Sequence, residues 1–146
     1  MANITFVLPG DHRSGGVRVT VIMANLLLER GYQVRIVHPE TRLFTQSGLK
    51  RMVRRCLSGK NGNAGWLHQF NGRLECYRKL DDLDYKQDEV VIAVGTYMVA
   101  QVREMTKPVL KVRFNHGFPA RPDAAQEAAW HGRMPTITVS NTLVAR

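Results

Sequence analysis

The chain has 146 residues, of which 44% are apolar and 23% charged, with Lys and Arg totalling 21 against 12 acids. That composition excludes a disordered tail or a coiled coil, and the length fits one domain able to bury roughly 70% of its unfolded surface. The net charge of +9 points to an anionic partner: a phosphorylated ligand, a membrane surface or a nucleic acid.

Residues 3–8, NITFVL, form the first expected strand, closed by Pro9 and Gly10. After the turn GDHRSGG, apolar residues at Val17, Val21, Ala24, Leu27 and Leu28 recur at helical spacing across 16–30, and Gly31 stops the helix. The segment QVRIVHP follows as a second strand. Strand, four helical turns and strand make a βαβ unit with parallel strands.

The stretch 41–74 holds seven basic residues and no acid. Within it, LKRMVRRCL places Leu49, Met52, Val53, Cys56 and Leu57 on one helical face, with Lys50, Arg51, Arg54 and Arg55 opposite or flanking. This basic amphipathic helix has three readings: an ordinary packed helix, a membrane-surface contact or a nucleic-acid contact. No recognition-helix or RNP pattern accompanies the charge, which argues against nucleic acid. A Gly/Asn-rich loop over 58–65 leads to a third strand near RLECY, then to the acidic, turn-rich LDDLDYKQDE.

The α/β rhythm resumes with EVVIAVG (89–95), a strand buried on both faces by composition. A helix is expected over 96–106, halted by Lys107-Pro108, then a strand through VLKVRFNHG that ends at Asn115-His116-Gly117. Residues 123–131 suit a short helix, TITVS a last strand, and Ser140 or Asn141 an N-cap beyond it. The fold class is therefore α/β, a single Rossmann-like doubly wound parallel sheet over 1–146, with ligands expected past the strands' carboxyl ends.

The GDHRSGG turn satisfies neither familiar phosphate loop. A P-loop would need Lys and Ser or Thr where Gly16 and Val17 stand, and the glycines at 10, 15 and 16 miss the dinucleotide spacing, although Glu40 could serve a ribose. Two uses remain: Gly15 and Gly16 open a helix whose first N–H groups meet an anion, or they only allow a tight corner. His116 likewise reads as a cleft residue or as a turn cap, and Arg18 as a phosphate contact or a solvated cation. Asp11, His12 and Arg13 could hydrogen-bond sugar hydroxyls or simply be wet. The spacing of histidines and cysteines offers no metal site, and the two isolated cysteines read as reduced thiols. With no leader or spanning run in the sequence, the expected location is the cytoplasm.

The run ITFVLPGDHRSGGVRVTVIMANLLLERGYQVRIV, together with Gly95-Thr96, FNHG and TITVSN, resembles the N-terminal domain of retaining GT-B glycosyltransferases of the family 4 type. The resemblance covers most of 1–40 and 89–146 and leaves 41–88 unmatched. It implies the acceptor-side half of a hexosyltransferase in polysaccharide or cell-envelope synthesis, working on a nucleotide-sugar donor and a glycan or lipid-linked acceptor. In that family Gly15 and Gly16 would stand near the donor diphosphate with Arg18 in reach, His116 at the reaction centre, and Thr96 and Asn115 towards the acceptor. No metal cofactor is implied. The family's donor-binding domain has no counterpart in these residues, so the 146-residue chain alone is expected to be inactive. Membrane-associated members use basic patches on this domain, which favours a peripheral contact at the inner membrane face through Lys50, Arg51, Arg54 and Arg55. The reading from another class is a non-catalytic nucleotide- or anion-binding module.

Overall fold

The structure is a computed structural model that describes residues 2–11, 13–40, 65–117 and 123–139. His12, the expected basic helix with Lys50, Arg51, Arg54 and Arg55, Cys56 and the expected cap at Ser140 or Asn141 lie outside those residues. Six strands form one parallel sheet: β1 (Asn3–Val7), β2 (Gln33–Pro39), β3 (Arg73–Tyr77), β4 (Val90–Val94), β5 (Leu110–Asn115) and β6 (Thr136–Thr138). Among the described residues three helices accompany it: α1 (Gly15–Glu29), α2 (Thr96–Glu104) and α3 (Ala124–His131). The strand order is β3-β2-β1-β4-β5-β6. This is the Rossmann-like arrangement read from the sequence.

Alternation along the strands explains the two layers. Ile4, Phe6, Leu8, Val34, Ile36, Ile92, Val94, Val112 and Phe114 face α1 and bury against its Val17, Val21 and Ala24. The intervening Val7, Val37, Val91 and Ala93 face the other way and meet Met98, Val99 and Val102 of α2. The chain moves outward in one direction from β1 to β2 and in the other from β4 to β5. One crossover hand therefore puts α1 and α2 on opposite faces of the sheet.

The β-branched run in α1 remains helical although Val19 and Ile22 are exposed, because Val17, Thr20 and Val21 are buried on its sheet-facing side; tertiary packing outweighs the weak propensity. Ser14 caps the helix by accepting from the Val17 N–H at 3.2 Å, and Thr20 returns its hydroxyl to the Gly16 carbonyl at 2.8 Å. Gly31, at φ 86°, makes the left-handed stop. Trp66–Gln69 form a short 3-10 turn, and Leu67 and the following Phe70 pack into the α1 layer. Asn25 clamps that turn, donating to the Gln69 carbonyl at 2.8 Å and accepting from the Asn71 N–H at 3.0 Å.

Several boundaries differ from the sequence reading. α2 ends at Glu104, short of Thr106, because Met105 is extended and the Thr106 N–H donates to Asp81 Oδ1 at 3.0 Å. Glu89 precedes β4 rather than opening it: its carboxylate accepts from the Lys86 N–H at 2.8 Å and from Arg35 Nη2 at 3.0 Å. The last strand contracts to Thr136–Thr138. Among the described residues, no helix is long and apolar enough to cross a membrane.

Candidate functional site

The order of the strands reverses between β1 and β4, whose following helices leave on opposite faces. Such a switch point is where an open α/β sheet receives ligands, in a crevice beyond the carboxyl ends of the strands. The turn after β1 and the first residue pair of α1 form one wall. The ends of β4 and β5 bring Gly95, Thr96, Asn115 and His116 to it.

His116 is the residue that joins these walls. Its imidazole presses on the first turn of α1 so closely that a Cβ on Gly16 would stand 1.9 Å from Nε2 and 2.3 Å from Cε1. Phe114 supports the ring from the strand at a centroid separation of 5.9 Å, tilted by 57°. Gly16 is thus required by the histidine, whereas a Cβ on Gly15 would meet nothing within 4 Å. At this position the second glycine admits a side chain from a strand 100 residues away.

Burial holds the His116 pKa below its ordinary value, so the ring is neutral near pH 7. Its Nδ1 is buried and has no hydrogen-bond partner among the described residues. The same is true of both amide atoms of Asn115, a residue only 1% exposed. Such open groups in a packed crevice are uncommon, because a buried polar atom without a partner forfeits its hydration.

The α1 turn is held from an unexpected direction. Gly65, entering the 3-10 turn, comes so near that a Cβ there would lie 2.5 Å from the Asp11 carbonyl oxygen. Arg18 lies over the Trp66 ring at 4.9 Å from its centroid, which fixes the guanidinium beside the helix's first turn. Sequence reading named neither Gly65 nor Trp66; the only available signal was the glycine cluster at 58–65. Arg13 and Gly15 are exposed, Asp11 is half-buried and Thr96 is buried. Arg13, Asp11, Gly15 and Gly16 therefore belong to the β1–α1 wall, and Thr96 and Asn115 to the β4–β5 wall.

Beside the crevice, at the ends of β2 and β3, His38 and Cys76 pair in register with Nε2 to Sγ at 3.6 Å. Burial first, then the charges of Glu40 and Asp11, push the thiol pKa up, so the sulfur stays protonated and is a poor nucleophile. Glu40, the possible ribose ligand, accepts from Arg78 Nε. No group of three or more metal-ligating side chains occurs among the described residues.

No protein-family model matches the chain, and no curated protein matches it significantly. The case for a function therefore rests on the crevice.

A second concavity, of about 620 Å³, lies at the opposite edge of the sheet and is lined by Tyr32, Arg35, Glu75, Tyr85 and Glu89 among others. Its charges answer one another. Arg35 donates through Nε to Thr5 Oγ1 at 2.7 Å, through Nη1 to Glu75 at 3.2 Å, and through Nη2 to Glu89 at 3.0 Å and the Asp84 carbonyl at 2.7 Å. Thr5 in turn donates to Glu89, and Tyr85 stacks under the guanidinium at 5.0 Å. This network ties the strand starts together; the crevice holds the open groups.

Proposed function

We propose that the crevice receives the diphosphate and sugar of a nucleotide-sugar, and that the chain is the acceptor-side half of a retaining GT-B glycosyltransferase. The observation that carries the reading is the neutral His116 ring seated on Gly16, at a helix N-terminus where the strand order reverses. The enzyme would move a hexosyl group to a glycan or lipid-linked acceptor, with a second domain holding most of the donor.

Each part has a chemical role in that reaction. The first N–H groups of α1 and the positive end of its dipole stabilise charge gathering on the departing diphosphate. They do so without the lysine of a P-loop. A neutral imidazole hydrogen-bonds a sugar hydroxyl beside the reaction centre and adds no cation that would hold the product diphosphate. Asp11, Arg13, Thr96 and Asn115 line the two walls from which an acceptor is oriented, and orientation is a large part of such catalysis. Retention of configuration, the cytoplasmic side of a membrane as the working place and a peripheral contact through Lys50, Arg51, Arg54 and Arg55 follow from the resemblance and extend this proposal.

The test has two arms. In the 146-residue chain, UDP- and GDP-sugars should shift the amide resonances of Gly15 and Gly16 and the ring resonances of His116. In a protein that joins this chain to a donor-binding domain, His116→Ala should lower turnover by about a hundredfold or more with the fold intact. Resonance shifts without transfer in any such pairing would favour the non-catalytic nucleotide- or anion-binding module. No shift at Gly15, Gly16 or His116 would overturn both.

A further inference from the structure

The crevice is flanked by two helix N-termini, and the second has its own unsatisfied partner. α2 springs directly from β4 with Gly95 as its cap at φ 76° and ψ 164°; no side chain caps it and its first turn carries no acid. The Gly95 N–H is committed to the Phe114 carbonyl at 2.9 Å, and the Met98 N–H turns back to the Gly95 carbonyl at 3.3 Å. The donors of Thr96 and Tyr97, the first two helical residues, have no acceptor within the helix.

Asn115 is the independent observation. The pairing of Val94 with Phe114 sets Asn115 beside Gly95. Phe114 and His116 turn to the α1 face, so alternation aims the Asn115 side chain at the face covered by α2, next to its first turn. It is 99% buried by its 1% exposure, yet neither its donor nor its acceptor is used among the described residues. A packed amide open at both ends fits a ligand that offers an acceptor and a donor together. The exposed Tyr97 ring on the same turn adds an apolar face for a sugar or polyol.

We infer that Asn115 and the first turn of α2 form a subsite for a phosphorylated sugar or polyol. The phosphate lies at the N–H groups of Thr96 and Tyr97, Asn115 Nδ2 donates to a phosphate oxygen, and Oδ1 accepts from a neighbouring hydroxyl. The subsite rests on the crevice reading above and names the acceptor class for it. It lies on the α2 side of the crevice, whereas Gly16 and His116 lie on the α1 side, which makes the two separable.

The experiment is a resonance titration of the labelled 146-residue chain with a hexose phosphate, the free hexose, inorganic phosphate, acetate and UDP. The hexose phosphate should shift the amides of Thr96 and Tyr97 and the Asn115 side-chain amide, and should bind more tightly than phosphate, acetate or hexose alone. Asn115→Asp, nearly isosteric but anionic, should weaken it about tenfold or more, the loss expected for one hydrogen bond to a charged group. If that variant does not fold, Asn115→Leu replaces it. Unchanged affinity in the variant, or silence at Thr96 and Tyr97, overturns the subsite. A response of Gly15 and Gly16 to UDP with Thr96 and Tyr97 silent would leave the nucleotide-sugar reading standing and this inference lost. The reverse pattern would keep the subsite and remove the nucleotide-sugar reading.

Discussion

The two ends of this sheet handle buried polar groups in opposite ways. At the amino end, Thr5, Arg35, Glu75 and Glu89 close on one another, with the side chains of Arg35 and Glu89 only 11% and 5% exposed. At the carboxyl end, Asn115 and Nδ1 of His116 are buried and open. Both clusters have the burial that makes polar atoms expensive, but only one recovers the cost internally. The difference marks the first as a structural tie and leaves the second as the ligand site proposed above.

The largest break in that contrast should come from the closed end. Arg35→Ala leaves the buried Glu89 carboxylate without its cation, while Glu75 keeps Arg73 at 2.8 Å, and should cost about 3–5 kcal/mol of unfolding free energy in a denaturant titration. A loss within the error of the titration would mean the network contributes nothing and that the two ends do not differ as argued.

Next in size are the two glycines of the crevice. Gly16→Ala drives a methyl into the His116 ring and should cost about 1–3 kcal/mol. Gly15→Ala, facing open space at the helix start, should be neutral or gain up to about 1 kcal/mol. Equal effects from adjacent positions would contradict the His116 contact.

The open amide predicts a change of the opposite sign. Asn115→Leu removes two unpaired buried polar atoms and should raise stability by about 1 kcal/mol while abolishing any ligand response at α2. A clear destabilisation would show that the amide is satisfied in solution.

The smallest effect is on pH. Burial lowers the folded pKa of His116 beneath the ordinary 6.5, so the unfolded chain binds its proton first on acidification. This contribution to stability is complete above pH 6.5 and falls away as the pH drops from there through the folded pKa. His116→Gln should flatten that part of the acid limb; an identical pH profile would place the ring in water.

Much of the fold was legible because its signals are local. Ile4, Phe6, Ile92 and Val94 alternate or run apolar within single strands, Val17, Val21 and Ala24 repeat at helical spacing, and Gly31 and Pro108 punctuate the elements. Such patterns depend only on the period of a strand or a helix, so a single sequence displays them. The candidate site was legible in part. Position at a strand end pointed to His116, and the family resemblance to Gly15, Gly16, Thr96 and Asn115, without saying which touched.

What the sequence by itself determined is the parallel α/β plan, the buried stripe of each element and the edge of the sheet where a ligand would arrive. Only the tertiary structure decided that Gly16 makes room for His116, that Gly65 and Trp66 brace the α1 turn through the Asp11 carbonyl and Arg18, and that Asn115 is left open beside α2. It also decided that Arg35 is consumed by Glu75 and Glu89 rather than offered to an anion. The physical reason is the same in each case. Secondary structure follows from short-range periodicity, whereas satisfaction of a buried polar group depends on which distant strand or turn the fold sets against it.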